Sequence, residues 1–275
     1  MIEKPLHIIG RRLYGTGIGR NRIVNNIVEH FLRNKQVQIT VDRDLKMIIE
    51  PSRGFVEKTL FFGNGVMEPR ETQVFKEHLK SNSVVVDVGA HIGYYTLLAA
   101  KHAKKVYSFE PVPENMQKLK QNIALNGFKN VTIEEIGLSN RRGNVEISFG
   151  NKNRIVPTIS LDEYFQDKTV SIIKIDVDGA ELDVLQGAKH VLKKNREIKV
   201  ICELNIPELR SRGGDLEKAL KYLEGTDFRF YSLNEKDFIK GCPKETCIKD
   251  ILSWKENYFY SLFLSRDDIE SSEQS

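Results

Sequence analysis

One short segment combines an acid with two glycines in a way that suits ligand binding. Residues 87–93 read DVGAHIG and continue the apolar, β-branched run of a predicted buried strand. In open α/β sheets, ligands bind beyond the carboxyl ends of the strands. Gly89 and Gly93 permit a tight turn and a close approach of the backbone to a ligand, with Ala90 and His91 between them. The segment therefore predicts a ligand-binding turn between a strand and a helix.

A second acid follows this turn at the spacing of a ribose-binding residue. Glu110 ends the next predicted strand, 23 residues after Asp87. An acid about 20 residues beyond such a turn is placed to accept hydrogen bonds from ribose hydroxyls. A carboxylate at Asp87 would repel the phosphates of a dinucleotide but attract the sulfonium and ammonium groups of S-adenosylmethionine. The pair therefore favours S-adenosylmethionine over NAD(P).

The fourth predicted strand ends in a cluster of charged residues, within the segment IKIDVDGAE at 173–181. Such a cluster is costly unless its members are paired or functional. Asp176 could orient the cofactor or the acceptor, or act as a general base. Lys174 could pair with the acids or polarise the acceptor. Asp178 and Glu181 are candidate ligands for Mg²⁺ or another divalent cation, although helix-dipole stabilisation alone would also explain Glu181.

Two further acids end neighbouring strands. Glu135 follows the third predicted strand and is a candidate contact for the adenine amine, with a solvent-facing side chain as the alternative. Glu203 ends the fifth predicted strand and is a candidate catalytic residue with Asp176 and Lys174. Parallel strands end at one edge of a sheet, so these residues should lie near the predicted turn.

The elements that must position these residues alternate between strand and helix from residue 83 onward. This alternation predicts a Rossmann-like α/β fold with an open, mostly parallel sheet and helices on both faces. The earlier chain differs. An apolar stripe at helical spacing runs through residues 20–34, which is typical of a docking or dimerisation face. Alternating runs at 37–41 and 46–50 predict a β-hairpin.

The composition argues against several classes of protein. The formal net charge of the 275 residues is only +4 at pH 7, without the dense basic footprint of a nucleic-acid binder. The sequence shows neither a long apolar run nor a secretory signal, so we expect no transmembrane segment. Three cysteines are too few for a disulfide framework, which favours a reducing, cytoplasmic compartment. We expect a small-molecule or saccharide acceptor rather than nucleic acid, and a homodimer is compatible with the apolar stripe.

Six blocks of sequence occur in a characteristic order. They are 65–72 (GVMEPRET), 86–96 (VDVGAHIGYYT), 109–111 (FEP), 137–140 (GLSN), 158–163 (TISLDE) and 173–188 (IKIDVDGAELDVLQGA). In this combination the chain resembles the FkbM family of methyltransferases over roughly residues 60 to 205.

The resemblance implies a class I methyltransferase fold with a seven-stranded sheet and S-adenosylmethionine as cofactor. It implies O-methylation of a hydroxyl on a sugar, glycolipid or secondary metabolite. It also implies cofactor-binding roles for Asp87, Gly89, Gly93 and Glu110, and an acceptor-side position for the acids at 176–181. We therefore divide the chain into a helix and hairpin extension at 1–80, a methyltransferase domain at 81–265 and a flexible tail at 266–275. The extension would serve as a lid, a docking surface or a dimerisation surface.

The sequence leaves two other classes of function open. An NAD(P)-dependent oxidoreductase would use the same type of turn, although Asp87 and the absence of a glycine at His91 count against it. A non-catalytic scaffold could keep the fold without turnover. A nucleic-acid methyltransferase is disfavoured, because no Asn-Pro-Pro-Tyr-like block follows the fourth strand.

Overall fold

The computed structural model of the protein describes residues 30–149, 152–214, 216, 217, 220, 226–234, 238, 239, 242–252 and 259–269. Its strands are β1 (Val37–Val41), β2 (Leu45–Ile49), β3 (Val84–Val88), β4 (Lys105–Phe109), β5 (Val131–Glu134), β6 (Gly137–Leu138), β7 (Gly143–Phe149), β8 (Lys152–Ile159), β9 (Ile172–Ile175), β10 (Lys199–Asn205), β11 (Arg229–Ser232), β12 (Phe238–Ile239), β13 (Cys242–Thr246) and β14 (Phe259–Ser265). Its helices are α1 (Phe55–Phe62), α2 (Pro69–His78), α3 (Tyr94–His102), α4 (Pro113–Leu125), α5 (Leu161–Phe165), α6 (Glu181–Gln186), α7 (Lys189–Lys194), α8 (Ile206–Ser211) and α9 (Ile248–Leu252). Most of the apolar stripe at 20–34, and the tail beyond residue 269, lie outside the described residues.

A β-hairpin forms where the alternation of apolar residues predicts it. β1 and β2 pair antiparallel, with Val41 opposite Leu45. Asp42 and Arg43 in the turn have φ values of 44° and 70°, the left-handed conformation that short hairpin turns often require. Alternate side chains of both strands are buried and contact the rest of the protein.

The central sheet has the order β12-β13-β11-β14-β10-β9-β3-β4-β5. The five strands from β10 to β5 are mutually parallel, and β14 runs antiparallel to β10 and to β11. This confirms the predicted open, mostly parallel sheet. It contains the seven strands that the resemblance implies, and the short strands β12 and β13 extend it at the β11 edge.

Both faces of this sheet are buried, which explains the continuous apolar character of its central strands. Val86 and Val88 point into one core, together with Ile173 of β9. Val85 points into the other core, with Ile172, and packs toward the hairpin, α2 and α3. Successive residues alternate between the two faces, so Asp87 and Lys174 fall on the same face as Val85 and Ile172.

Between β5 and β9 the chain forms a small sheet of its own. β6 pairs parallel with β8, and β8 pairs antiparallel with β7. Across the described ranges, no helix combines the length and the apolar character needed to cross a bilayer.

Candidate active site

The glycine-containing turn joins β3 to α3 at the carboxyl edge of the sheet. The backbone N–H groups of Gly89 and Ala90 both donate to the carbonyl of Phe109 at 3.0 Å. Gly89 has φ +81°, and a Cβ there would lie 1.8 Å from the carbonyl oxygen of Asp176. Gly93 has φ +99°, and a Cβ there would approach Leu119. Gly89 is therefore required by its close approach to the backbone of Asp176, and at both positions the positive φ favours glycine.

Glu110 binds this turn from the end of β4. One carboxylate oxygen accepts from the backbone N–H of His91 at 2.8 Å, and the other accepts from that of Val112 at 2.9 Å. Asn115 adds a longer contact of 3.4 Å. Burial raises the pKa of Glu110 to about 7, against these hydrogen bonds, which lower it. The carboxylate oxygen that accepts from His91 can accept a further hydrogen bond, so a ribose hydroxyl fits this residue.

Asp87 lies almost fully buried beneath the same turn. Its carboxylate accepts a hydrogen bond of 2.6 Å from the hydroxyl of Thr96, which also contacts Ser108 at 2.8 Å. Burial raises the pKa of Asp87 to about 6, and the hydrogen bond from Thr96 opposes this. Asp87 lines a cleft together with Gly89, Ala90 and His91. A cationic group in that cleft would compensate its charge.

Two other predicted cofactor residues, His91 and Glu135, differ in their surroundings. His91 adopts φ 49°, and its buried Nδ1 atom has no hydrogen-bond partner among the described residues. Burial, with the nearby charges of Lys118 and Arg53, lowers the pKa of His91 to about 4, so the ring is neutral at pH 7.

Glu135 follows β5 at the carboxyl edge and is exposed, whereas Glu134 accepts a 2.6 Å hydrogen bond from a tyrosine. The adenine contact of Glu135 stays a prediction.

Lys174 is fully buried in the middle of β9. It stands opposite Asp87 in the parallel register, and its ammonium nitrogen lies 2.9 Å from a carboxylate oxygen of Glu71 on α2. The same nitrogen lies 4.9 Å from the ring centre of Tyr95. Although burial disfavours the charge, Glu71 and the carboxylates of Asp176 and others hold the pKa of Lys174 well above its usual value. Lys174 is therefore a charged group inside the protein.

Three carboxylates meet near this lysine. Glu68, Asp176 and Glu203 each place a carboxylate oxygen within 4.8 Å of the others, which is a spacing that could hold a metal ion. Burial raises the pKa of Glu68 to about 8 and that of Glu203 to about 10, and it also raises the pKa of Asp176. Repulsion by neighbouring carboxylates, Glu71 among them in each case, adds to all three shifts. The cluster therefore favours a ligand that can donate hydrogen bonds or carry positive charge.

Asp178 and Glu181 are not members of this three-carboxylate cluster. Asp178 is exposed and lies 3.3 Å from the amide nitrogen of Asn205. Glu181 is buried at the start of α6, where one oxygen accepts from the backbone N–H of Gly179 at 2.8 Å. Burial raises the pKa of Glu181 to about 7. Within the described residues, the geometry suited to a cation thus involves Asp176 but neither predicted ligand.

Helix α2 brings two acids to the site that were not predicted from the sequence. Glu68 precedes this helix with φ 44°, and it accepts a 2.7 Å hydrogen bond from the hydroxyl of Tyr95. Glu71, one turn further along, pairs with Lys174 and accepts from Ser261 of β14. The motif EPRE at 68–71 was the available signal, because a proline at the first helical position places two nearby acids at a helix start.

With this geometry in place, comparison with known proteins identifies the family. Residues 87–230 match the methyltransferase FkbM domain, which is more than half of the chain. The chain therefore belongs to the FkbM family of methyltransferases, a family that uses S-adenosylmethionine. Glu68 and Glu71 lie before the matched region.

Individual relatives are distant and differ in what they modify. The hexuronic acid methyltransferase AglP of Haloferax volcanii is 28% identical over 132 residues, covering 42% of this chain and 54% of AglP. An uncharacterised RNA methyltransferase of Oceanobacillus iheyensis is 25% identical over 174 residues, covering 63% of this chain and 32% of the relative. The chain thus matches only part of the length of these relatives.

One solved structure of low sequence identity supports the same fold, and a second is similar at a lower TM-score. The Pyrococcus horikoshii protein PH0793 aligns with a TM-score of 0.52 at 13% identity, over 92% of this chain and 83% of that protein. The methyltransferase FkbM of Methylobacillus flagellatus aligns with a TM-score of 0.49 at 17% identity, over 91% of this chain and 60% of that protein.

Proposed function

We propose that this protein transfers the methyl group of S-adenosylmethionine to a hydroxyl of a sugar, glycolipid or secondary-metabolite acceptor. The proposal rests on one observation: two groups of residues, one suited to a cofactor and one suited to an acceptor, lie at the same edge of the sheet. The turn with Asp87 and Glu110 offers a cofactor site, and the cluster of Lys174, Asp176 and Glu203 adjoins it.

The residues of the turn fit S-adenosylmethionine. Glu110 would accept hydrogen bonds from the ribose hydroxyls, Glu135 would meet the adenine amine, and Asp87 would compensate the positive charge of the cofactor. Gly89 and Gly93 shape the turn, and the unpartnered Nδ1 atom of His91 marks a polar group available at the cleft. The bound cofactor supplies an activated methyl group.

The acceptor would lie over the ends of β9 and β10. Asp176 and Glu203 would accept hydrogen bonds from acceptor hydroxyls and orient the reacting oxygen toward the methyl group. Lys174 would stabilise the negative charge that develops on this oxygen as its proton leaves. An RNA acceptor is less compatible with the site, because its phosphates would approach several carboxylates.

The extension before residue 81 belongs to the working site in this proposal, because Glu68 and Glu71 come from it. We propose this region as a docking element for the acceptor. A cytoplasmic location agrees with the two free cysteines Cys202 and Cys247.

Calorimetric titration with S-adenosylhomocysteine tests the cofactor site. We expect micromolar binding by the wild type, and at least about 10-fold weaker binding by Glu110→Gln, because a charged acceptor of ribose hydrogen bonds is lost. Glu197→Gln, an exposed acid at the opposite end of the sheet, is the matched control and should bind like the wild type. Absence of binding at millimolar ligand would remove the basis of the proposal, and binding of NAD(P) would replace it.

A further inference from the structure

A group of carboxylates that includes Asp176 of the cleft contains acceptors of hydrogen bonds that the protein leaves unused. Glu68, Asp176 and Glu203 face one another within 4.8 Å. Tyr95 donates to Glu68, but within the described part of the chain neither Asp176 nor Glu203 receives a hydrogen bond. Half-buried carboxylates at such distances repel one another, so the group is incomplete without a ligand or bound protons.

The buried ammonium group of Lys174 independently indicates that a ligand binds in the cleft. Its side chain is fully buried and lines the same cleft. Glu71 lies 2.9 Å from the ammonium nitrogen, yet this nitrogen makes no hydrogen bond of acceptable geometry within the described part of the protein. A lysine ammonium has three N–H donors, and a buried donor without an acceptor is costly. An oxygen atom of a ligand in the cleft would satisfy it.

A hydroxyl group meets both requirements, since it donates one hydrogen bond and accepts others. A divalent cation would satisfy the carboxylates, but it has no lone pair and would leave the N–H donors of Lys174 without an acceptor. The raised pKa values of Glu68, Asp176 and Glu203 show that these surroundings disfavour negative charge, so an acceptor with its own carboxylate would bind poorly there. The combined donor and acceptor pattern therefore favours an uncharged ligand with neighbouring hydroxyls.

We propose that this cleft binds the hydroxyls of an uncharged sugar or polyol directly, without a divalent cation, and that Glu68 takes the proton of the reacting hydroxyl. This inference rests on the proposed function. In the step, the hydroxyl proton passes to the Glu68 carboxylate as the oxygen forms a bond to the methyl carbon. The carbon–sulfur bond breaks, its electron pair stays on sulfur, and the proton later leaves to solvent.

The position of Glu68 is suited to this role. Tyr95 holds one carboxylate oxygen at 2.7 Å and leaves the other free to accept a proton. The residue has φ 44°, a left-handed conformation that costs energy for a side chain other than glycine. Met67 and Tyr95 line the cleft. Glu68 lies within 4.8 Å of Asp176, which lines the cleft, and so adds to the edge of the cleft a group from outside the region matched to the FkbM family.

The test measures transfer of labelled methyl groups from S-adenosylmethionine to methyl glycosides of glucose, galactose, mannose and rhamnose, and to myo-inositol, in the presence of EDTA. We expect transfer to at least one of these compounds and weaker transfer to methyl glucuronide. Glu68→Gln keeps the size of the side chain and an acceptor for Tyr95. It should lower kcat by about 100-fold or more while the affinity for S-adenosylhomocysteine stays unchanged. Glu77→Gln, an exposed acid on the same helix, should behave as the wild type.

Several outcomes would overturn this inference. One is transfer that stops in EDTA and returns with Mg²⁺. Another is a single tightly bound Mn²⁺, seen by electron paramagnetic resonance, that Glu68→Gln removes. Wild-type turnover by Glu68→Gln would exclude its role as proton acceptor. Binding of S-adenosylhomocysteine without transfer to any neutral compound would refute the acceptor class but leave the cofactor site standing. Loss of that binding would refute the proposed function itself.

Discussion

If Glu110 binds the cofactor as proposed, protonation of this buried carboxyl should change cofactor affinity. Its pKa is raised to about 7 by burial, so the free protein changes its charge near neutral pH. Ribose hydroxyls donate hydrogen bonds and therefore bind the ionised form better. We expect the affinity for S-adenosylhomocysteine to increase as the pH rises from about 6 to about 8. Calorimetry across this range measures it, and Glu110→Gln should show a smaller slope. An affinity that falls with rising pH would contradict the role of Glu110.

Gly89 should be far less tolerant of substitution than another glycine with similar backbone geometry. Gly89→Ala would place a Cβ 1.8 Å from the carbonyl oxygen of Asp176, so the two strand ends would have to separate. Gly127 has φ +70°, but a Cβ there would meet no atom within 4 Å, and Gly127→Ala should cost only about 1 kcal/mol. We expect Gly89→Ala to cost more than about 3 kcal/mol in urea unfolding. Equal losses for the two variants would contradict this packing.

At the scale of elements, α2 is bound to the sheet by a buried ion pair. Lys174 and Glu71 are almost fully buried, so removing one charge leaves the other without its partner. We expect Lys174→Met to lower the free energy of unfolding by about 3–5 kcal/mol. The double variant Lys174→Met, Glu71→Leu should recover part of this loss. Denaturant unfolding followed by circular dichroism measures both, and a loss below about 1 kcal/mol in the single variant would argue against the pair.

The sequence predicted those elements that can be recognised from residues close together in the chain. The β-branched run before Asp87, the two glycines and the acid Glu110 lie within one strand–turn–helix–strand unit, so spacing alone located them. Glu71 and Glu68 could not be assigned in this way. Their role depends on the docking of α2 against β9 and α3, which is a contact between distant parts of the chain. The metal prediction at Asp178 and Glu181 used adjacency in sequence, whereas the observed carboxylate cluster draws on three separate elements.

At the scale of the whole molecule, the hairpin, α1 and α2 provide a large part of one of the two cores. Met47, Leu60 and Phe75 from this region pack in the same buried cluster as Leu97 and Ile172. We therefore expect a fragment that begins at residue 81 to expose this core and to fail to fold cooperatively. Thermal unfolding of the fragment and of the full chain compares them. A fragment that unfolds cooperatively and binds S-adenosylhomocysteine would show that the extension is dispensable.

The proposed function requires that the protein form a methyl ether from a hydroxyl. S-adenosylmethionine labelled with ¹³C in the methyl group tests this directly, because NMR identifies the atom to which the labelled carbon is bonded in the product. We expect a methyl carbon bonded to oxygen on a small, hydroxyl-rich acceptor. A label attached to nitrogen or carbon, or a label found in RNA, would contradict it.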